Sequence, residues 1–365
     1  MVALSAFQPQ NYEDLLQAKR ERLEQLLTPF SVPGIRVFES PRDSFRMRAE
    51  FRMWHDGDDM FYAMFDPGRP RDPLRVDTFP IASQRIQKAM QPLLDKLLAN
   101  PELSRKLFQV EFLSTQTDQL LITLIYHRQL DAAWLQQAAG VELALNARII
   151  GRARKQRLVI SQDYVDEQLN IGERVFHYRQ FEQGFTQPNA TVNSKMIDWA
   201  CEQAQDCTGD LLELYCGNGN FTLPLAGHFK KVLATEVSKA SMLSARFNQQ
   251  RNAINNLELV RLAAEEVVEA LAGSRLFRRL AHLESGLTDY NFGTVFVDPP
   301  RAGLDASTTE LVTQFENIIY ISCNPLTLAA NLASICNTHR VQACALFDQF
   351  PYTEHVECGV LLQRR

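Results

Sequence analysis

The second half of the chain constrains the fold more than any other stretch. From about residue 207, short apolar runs are separated by helical stretches: "DLLELY" (210–215), "KVLATE" (231–236), "NLELVRL" (256–262), "TVFVDPP" (294–300) and "NIIYISC" (317–323). Runs of this length between polar turns read as strands buried on both faces, and their alternation with helices predicts a parallel, doubly wound sheet. The last two runs, "ACALFDQF" and "HVECGVLLQ", are joined only by "PYTE". A crossover between parallel strands needs a dozen or more residues, so these two are expected to be antiparallel neighbours.

The first half is patterned differently. In "FRMRAEFRMWHDGDDMFYAMF" (45–65), Phe45, Met47, Ala49, Phe51 and Met53 alternate with Arg46, Arg48, Glu50 and Arg52. Asp56-Gly57 then supplies a turn before another apolar run, which predicts a hairpin. "FQVEFLSTQTDQLLITLIYHR" (108–128) predicts a second hairpin, and Ile86, Met90, Leu93, Leu94 and Leu97 predict a helix over 83–100 capped by Ser83. At 365 residues the chain is long enough for two domains. The stretch 181–196 is read as the boundary, giving an N-terminal α+β domain, 1–180, and a second domain, 181–365. A parallel sheet closed by an antiparallel pair resembles the class I (Rossmann-like) methyltransferases, so the second domain is expected to be α/β of that type.

Bulk properties exclude several classes. No run approaches the roughly 18 apolar residues of a membrane span. The N-terminus lacks a charged start followed by a long apolar stretch, so no signal peptide and a cytoplasmic location are expected. The seven cysteines begin at Cys201 and show neither CxxC spacing nor a Cys/His cluster, which points to reduced thiols and no metal. With a net charge of −5, any nucleic-acid binding must rest on a local basic face. The arginine side of 45–53 and the basic run 148–157 (Arg148, Arg152, Arg154, Lys155, Arg157) are candidates for phosphate contacts. Both can equally be solvated faces.

"ELYCGNGNF" (213–221) follows the first strand of the α/β half and opens a helix. Gly217 and Gly219 allow a tight turn and close approach of backbone to a ligand. The third glycine of the dinucleotide fingerprint is replaced by Asn220-Phe221, which suits a ligand without a pyrophosphate, such as S-adenosylmethionine. Glu236 ends the next strand, where an acid can accept hydrogen bonds from ribose hydroxyls. The plainer role for Glu236 is a helix N-cap.

Two further strand ends carry chemistry. "FVDPPRAGL" (296–304) holds Asp298 at the mouth of the sheet, because two prolines deny the backbone any helical continuation. Arg301 stands where amino-nitrogen methyltransferases carry an aromatic residue after DPP, which turns attention to Cys323 in "IIYISCNPLTL". Carbon methylation at C5 of uracil needs a thiolate to add at C6, a methyl sulfonium, and a base to remove the C5 proton. Cys323, at a strand end before a helix, fits the first; a small core thiol is the alternative. For the base, Glu357 interrupts an apolar strand, where a carboxylate is expensive without a task or a partner. His355 is the rival, and Glu357 is preferred.

At this point the chain closely resembles the bacterial tRNA (uracil-5-)-methyltransferases, which make ribothymidine in the T-loop. "RMRAEFRMWHDGDD", "VDTFP", "FTQPNA", "LLELYCGNGNF", "FVDPPRAGLD", "YISCNP" and "LFDQFPYTEHVECGVLL" carry the likeness from end to end. The resemblance implies an S-adenosylmethionine-dependent enzyme with Cys323 as nucleophile and Glu357 as proton acceptor. It also implies Gln187, Tyr215, Asn220, Glu236 and Asp298 as cofactor contacts, and an N-terminal domain that binds RNA. Gln187 and Tyr215 rest on the resemblance alone. Related ribosomal-RNA enzymes usually bear an iron–sulfur cysteine cluster in the N-terminal half; the absence of cysteine before Cys201 excludes it here and favours the tRNA branch. The expected partner is the T-arm of tRNA, met by a monomer, with transfer-messenger RNA left open as a further substrate. Extrusion of a stacked base leaves a place for protein side chains, and Phe108 and His127 join Arg46, Arg48 and Arg52 as candidate RNA contacts. Two other readings remain, an RNA-folding factor and an N-methyltransferase with an incidental cysteine.

Overall fold

The structure is a computed structural model that describes the chain except residues 1–6, 58, 67, 282, 284 and 285. The first six residues, part of the stretch on which the absence of a signal peptide was read, lie outside it. The elements run α1 (Tyr12–Leu27), β1 (Ile35–Phe38), β2 (Arg48–Asp56), β3 (Asp59–Asp66), β4 (Arg69–Arg75), α2 (Gln84–Leu98), α3 (Pro101–Ser104), β5 (Leu107–Ser114), β6 (Leu120–Tyr126) and α4 (Ala132–Leu145). Four strands follow: β7 (Arg148–Ala153), β8 (Gln156–Val159), β9 (Tyr164–Ile171) and β10 (Arg174–Phe181). The remainder alternates: α5 (Ala190–Ala204), β11 (Asp210–Leu214), α6 (Thr222–Leu225), β12 (Val232–Thr235), α7 (Lys239–Arg251), β13 (Leu257–Val260), α8 (Ala264–Leu271), β14 (Phe292–Val297), α9 (Ala306–Val312), β15 (Asn317–Ser322), α10 (Pro325–Ile335), β16 (His339–Phe347) and β17 (Glu357–Arg364).

Two compact units result, but not by a single cut at 180/181. Among the described residues, the first unit takes 7–10, 41–168 and 179–190; the second takes 11–40, 169–178 and 191–365. Pairing explains the difference. β1 adds to the edge of the α/β sheet beside β16, in parallel register from Ile35 against Cys344. Conversely, Arg46 bridges Asn189, and the Met47 N–H donates to Pro188 O, which ties 188–189 into the first unit.

In the first unit a seven-stranded sheet runs β4-β3-β2-β5-β6-β7-β8. Both expected hairpins are present: β2 pairs with β3 around Gly57 at φ 61°, and β5 pairs with β6. The Ser83 hydroxyl accepts the Ile86 N–H and caps α2. Phe51, Tyr62, Phe79 and Phe112 form an aromatic core with ring centroids 5.1–6.2 Å apart. The apolar face of α2 (Ile86, Met90, Leu93, Leu97) is fully buried. Gly151 of β7 lets Trp134 of α4 lie on the sheet, since a Cβ there would come within 2.3 Å of the indole.

The second unit holds an eight-stranded sheet in the order β1-β16-β17-β15-β14-β11-β12-β13. β11 to β15 are mutually parallel, and β17 is antiparallel to both β15 and β16, as the short connection predicts. The chain runs outward from β11 through β12 to β13, then returns to β14 on the other side of β11. That reversal opens a crevice at the carboxyl ends of β11 and β14, where doubly wound sheets bind ligands.

Candidate active site

The glycine loop after β11 is built to approach a ligand. Tyr215, Gly217 and Gly219 all take positive φ (63°, 56° and 86°), so the chain doubles back tightly at the end of the strand. No atom lies within 4 Å of where a Cβ of Gly217 would stand. Glu236 at the end of β12 holds the loop: its Oε2 accepts the Gly217 N–H at 3.1 Å and its Oε1 accepts the Ser238 N–H at 2.6 Å. The cap of α7 is Ser238, whose hydroxyl accepts the Ser241 N–H. The Asn220 amide exchanges two hydrogen bonds with Asn193 of α5, each 2.9 Å, while its carbonyl accepts the Tyr178 hydroxyl.

The parallel register lines up the strand ends. Leu214 pairs with Thr235 on one side and Val297 on the other, so Tyr215, Glu236 and Asp298 are each the first residue beyond neighbouring strand ends. The Tyr215 phenol is pushed up to about 12 by burial, offset in part by the Thr308 hydroxyl. Burial alone pushes the Asp298 carboxyl up to about 7. Beneath it on β11 lies Glu213, fully buried, with Oε2 lacking a hydrogen-bond partner. Burial raises its carboxyl to about 8; the neighbouring Thr222 hydroxyl works the other way, and Asp298 raises it further. Open space over Gly217, an orphaned buried carboxylate oxygen and two more acids at the rim suit a small cationic ligand that carries hydroxyls.

Cys323 and Glu357 meet at the adjoining strand ends. Ser322 pairs with Cys358 across the antiparallel β15–β17 ladder, and that register continued by one step sets Cys323 opposite Glu357. The thiol is half-buried just ahead of α10, whose first turn is capped by Asn324. Asn324 also donates to Arg301 O at 3.1 Å, Thr327 donates to the same carbonyl, and Asn331 grips Leu304 through both its backbone groups. The loop after Asp298 is thereby pinned to the helix that follows the thiol. Burial, then Glu357 and Asp298, push the Cys323 thiol up to about 11; the Arg301 guanidinium acts in the opposite direction. Glu357 is buried, and burial followed by Asp298 holds its carboxyl well above the usual range. His355 is exposed, two residues before the strand. A thiol, a facing carboxyl and an acid-lined crevice can together support addition to an electrophilic ring and removal of a proton.

Comparison with known proteins gives this geometry a family. The model described as tRNA (uracil-5-)-methyltransferase matches residues 11–365. The chain belongs to the tRNA (uracil-5-)-methyltransferase family. Relatives in that family named tRNA/tmRNA (uracil-C(5))-methyltransferase include one from Ectopseudomonas mendocina, 55% identical over 98% of this chain and 99% of its own. Another, from Neisseria meningitidis serogroup B, is 51% identical over 97% of this chain and 99% of its own. The fold is that of the Pyrococcus abyssi tRNA (uracil-54, C5)-methyltransferase in complex with S-adenosyl-L-homocysteine, with a TM-score of 0.73 at 19% identity over 96% of this chain and 83% of that one.

The other residues singled out in the sequence lie in the first unit. Gln187 is partly buried in the 179–190 segment. Arg46 and Arg48 do not form a solvated arginine face. Both are partly buried, Arg46 Nε donates to Arg48 O, and Arg48 donates to Glu182 O and Gly184 O. Arg52 is exposed, with its guanidinium 4.1 Å over Phe108, whose ring in turn stacks on His127 at 4.1 Å. The basic run also divides. Arg152 and Arg157 clasp the buried Glu182 carboxylate at 3.2 and 2.9 Å, whereas Arg154 and Lys155 form the exposed turn between β7 and β8. That turn borders a groove of about 900 Å³ lined also by His127 and Arg128.

Sequence reasoning missed Glu213 and Asn193. Glu213 carried the signal that singled out Glu357, a carboxylate inside an apolar strand; Asn193 carried none, since its partner Asn220 is distant in the chain. Among the described residues no group of three His, Cys, Asp or Glu side chains is disposed to hold a metal ion, and no helix is long and apolar enough to cross a membrane.

Proposed function

We propose that this chain transfers the methyl group of S-adenosylmethionine to C5 of the T-loop uridine of tRNA, forming ribothymidine, as a cytoplasmic monomer. The reading rests on the β15–β17 ladder, whose last pair, Ser322 and Cys358, leaves Cys323 and Glu357 as the next residues on each strand, and on the electrostatic influence of Glu357 and Asp298 on the thiol. The substrate is supported by the family and by its relatives, which are named as acting on tRNA and transfer-messenger RNA, and by the similarly folded Pyrococcus abyssi enzyme, which is named for uracil-54.

S-adenosylmethionine, when bound, supplies an electrophilic methyl group and a positive charge. Tyr215, Asn220, Glu236 and Asp298 would hold it, with Glu236 able to accept hydrogen bonds from ribose hydroxyls, and the family resemblance adds Gln187. Cys323 Sγ adds to C6 of the uracil, and the C5=C6 electron pair moves to C5 and O4 as an enolate. C5 would take the methyl group and become tetrahedral, the sulfonium sulfur keeping the electron pair of the broken S–CH3 bond and leaving as a neutral thioether. Glu357 removes the C5 proton; the freed electron pair re-forms C5=C6 and expels the Cys323 thiolate. Burial, Glu357 and Asp298 push the thiol up against the pull of the Arg301 guanidinium, and the positive charge of a bound sulfonium would favour the thiolate. The target base is extruded from the T-loop, and within the first unit the Arg52–Phe108–His127 stack is a candidate RNA contact.

The test is tritium release from tRNA labelled at uridine C5, comparing the intact protein with Cys323→Ala. Release by the former and none by the latter is expected. Methyl transfer without tritium release would place the target elsewhere than C5, and an active Cys323→Ala variant would make this an N-methyltransferase.

A further inference from the structure

The N-terminal helix α1 lies far from the site in sequence yet grips the loop that delivers Glu357. Residues 348–356 connect β16 to β17, and Phe347 pairs with Glu357 at the base of that loop. Alternate residues of the loop are held by one face of α1. Lys19 Nζ donates to Asp348 Oδ1 at 2.7 Å and to Phe350 O at 2.9 Å. Tyr12 packs its ring edge-on to Tyr352, centroids 6.1 Å apart, and its hydroxyl, which accepts the Ser40 N–H, faces Asp348. Arg22 is ion-paired with the Glu354 carboxylate and donates to its carbonyl.

The composition of α1 is unusual for a helix that merely covers a sheet. Its buried stripe reads Tyr12, Leu16, Lys19, Leu23, Leu27, with a lysine at its centre that is 5% exposed. A buried ammonium is costly unless paired and hydrogen-bonded, and every partner recorded for this one lies on the 348–356 loop. The loop also holds Tyr352 at φ 63°, a conformation that needs outside support in a non-glycine residue. The same helix packs against α10, which begins two residues after Cys323. α1 is thus in contact with the segments that adjoin both reacting side chains, the loop before Glu357 and the helix after Cys323.

We propose that Lys19, through Asp348 and Phe350, is a positioning residue for proton removal by Glu357. This rests on the reading of Glu357 as proton acceptor. Addition of Cys323 to C6 and methyl transfer precede that step and do not use Glu357, so loosening the loop slows the final elimination and leaves the earlier chemistry in place. The expected signature is a methylated, covalent RNA–protein adduct that accumulates.

The experiment uses the full chain with tRNA and radiolabelled S-adenosylmethionine. Denaturing gels quantify labelled adduct for wild type, Glu357→Gln, Lys19→Met and the charge-neutral pair Lys19→Met/Asp348→Asn, which avoids stranding a buried carboxylate. Lys19→Met is expected to lower kcat at least tenfold, leave KM for tRNA within about twofold, and accumulate labelled adduct as Glu357→Gln does. Lys19→Arg, which keeps the charge, is expected to recover part of the rate. If Glu357→Gln traps adduct while folded Lys19→Met or the pair turns over slowly without adduct, or at the wild-type rate, the positioning role is wrong. If Glu357→Gln itself traps none, the proton-acceptor reading fails and takes this proposal with it.

Discussion

Four ionisable groups around the crevice have their neutral forms favoured by burial. Asp298 is raised to about 7, Glu213 to about 8, Cys323 to about 11, and Glu357 well above its usual range, each with burial as the largest cause. A cation placed among them favours every ionised form, so cofactor binding is expected to release protons near pH 7 and to tighten as pH rises. Calorimetry in two buffers of different ionisation enthalpy measures this; equal apparent enthalpies would refute it. Glu213 makes a second case with the sign worked out. Its folded value lies above its unfolded value, so its contribution to stability is complete below about 4.5 and is lost as pH rises through about 8. Glu213→Gln is therefore expected to melt at a higher temperature than wild type at pH 8 and to converge with it near pH 5. The upper bound on the gain is about 5 kcal/mol; thermal denaturation at the two pH values decides. The sequence made Glu357 legible through its cost in an apolar strand, and Glu213 was equally exposed to that argument. Lys19 escaped because a lysine at helical spacing reads as solvated until its partners, over three hundred residues away in the chain, are seen.

At the scale of elements, strands buried on both faces were the most legible, because an apolar run between turns specifies them locally and the length of each connection decides parallel from antiparallel. β1 was not legible as part of the α/β sheet. It is four residues long, and its partner β16 follows only after the whole first unit. That long-range pairing is what moves 11–40 across the expected boundary. Within the sheet, β17 carries a constraint that only the structure reveals. Gly359 lies two residues beyond Glu357, and a Cβ there would stand 2.6 Å from the Trp199 indole and 3.1 Å from Phe347. Trp199 is fully buried against Phe347, so it has no room to retreat. Gly359→Ala is expected to cost about 1–3 kcal/mol by overpacking and to reduce turnover more than tRNA affinity, since the strand displaced is the one bearing Glu357. Thermal melting combined with steady-state kinetics checks both; unchanged melting would show that the core yields.

For the whole molecule, the net charge of −5 opposes association with RNA, so affinity has to come from cations grouped against that background. The run 148–157 looked uniform in sequence, yet half of it is engaged inside the fold. Arg152 and Arg157 neutralise Glu182, whose side chain is 2% exposed; removing either takes one of the two ion pairs from a buried carboxylate and should lower stability. Arg154 and Lys155 have no ion-pair partner among the described residues and project from a two-residue turn beside the groove lined by His127 and Arg128. If those two cations meet phosphates, each contributes about 0.7–0.9 to the slope of log affinity against log salt. Arg154→Gln/Lys155→Gln is then expected to reduce that slope by about 1.5, to weaken binding of any T-loop RNA by a similar factor whatever its sequence, and to leave the melting temperature and kcat at saturating tRNA unchanged. Arg152→Gln should show the converse, with lower melting and little change in slope. Filter binding of tRNA across a salt series, run on both variants, separates the outcomes. An unaltered slope in the double variant would mean that the groove does not carry the RNA backbone, and that the Arg52–Phe108–His127 face must supply the contacts on its own.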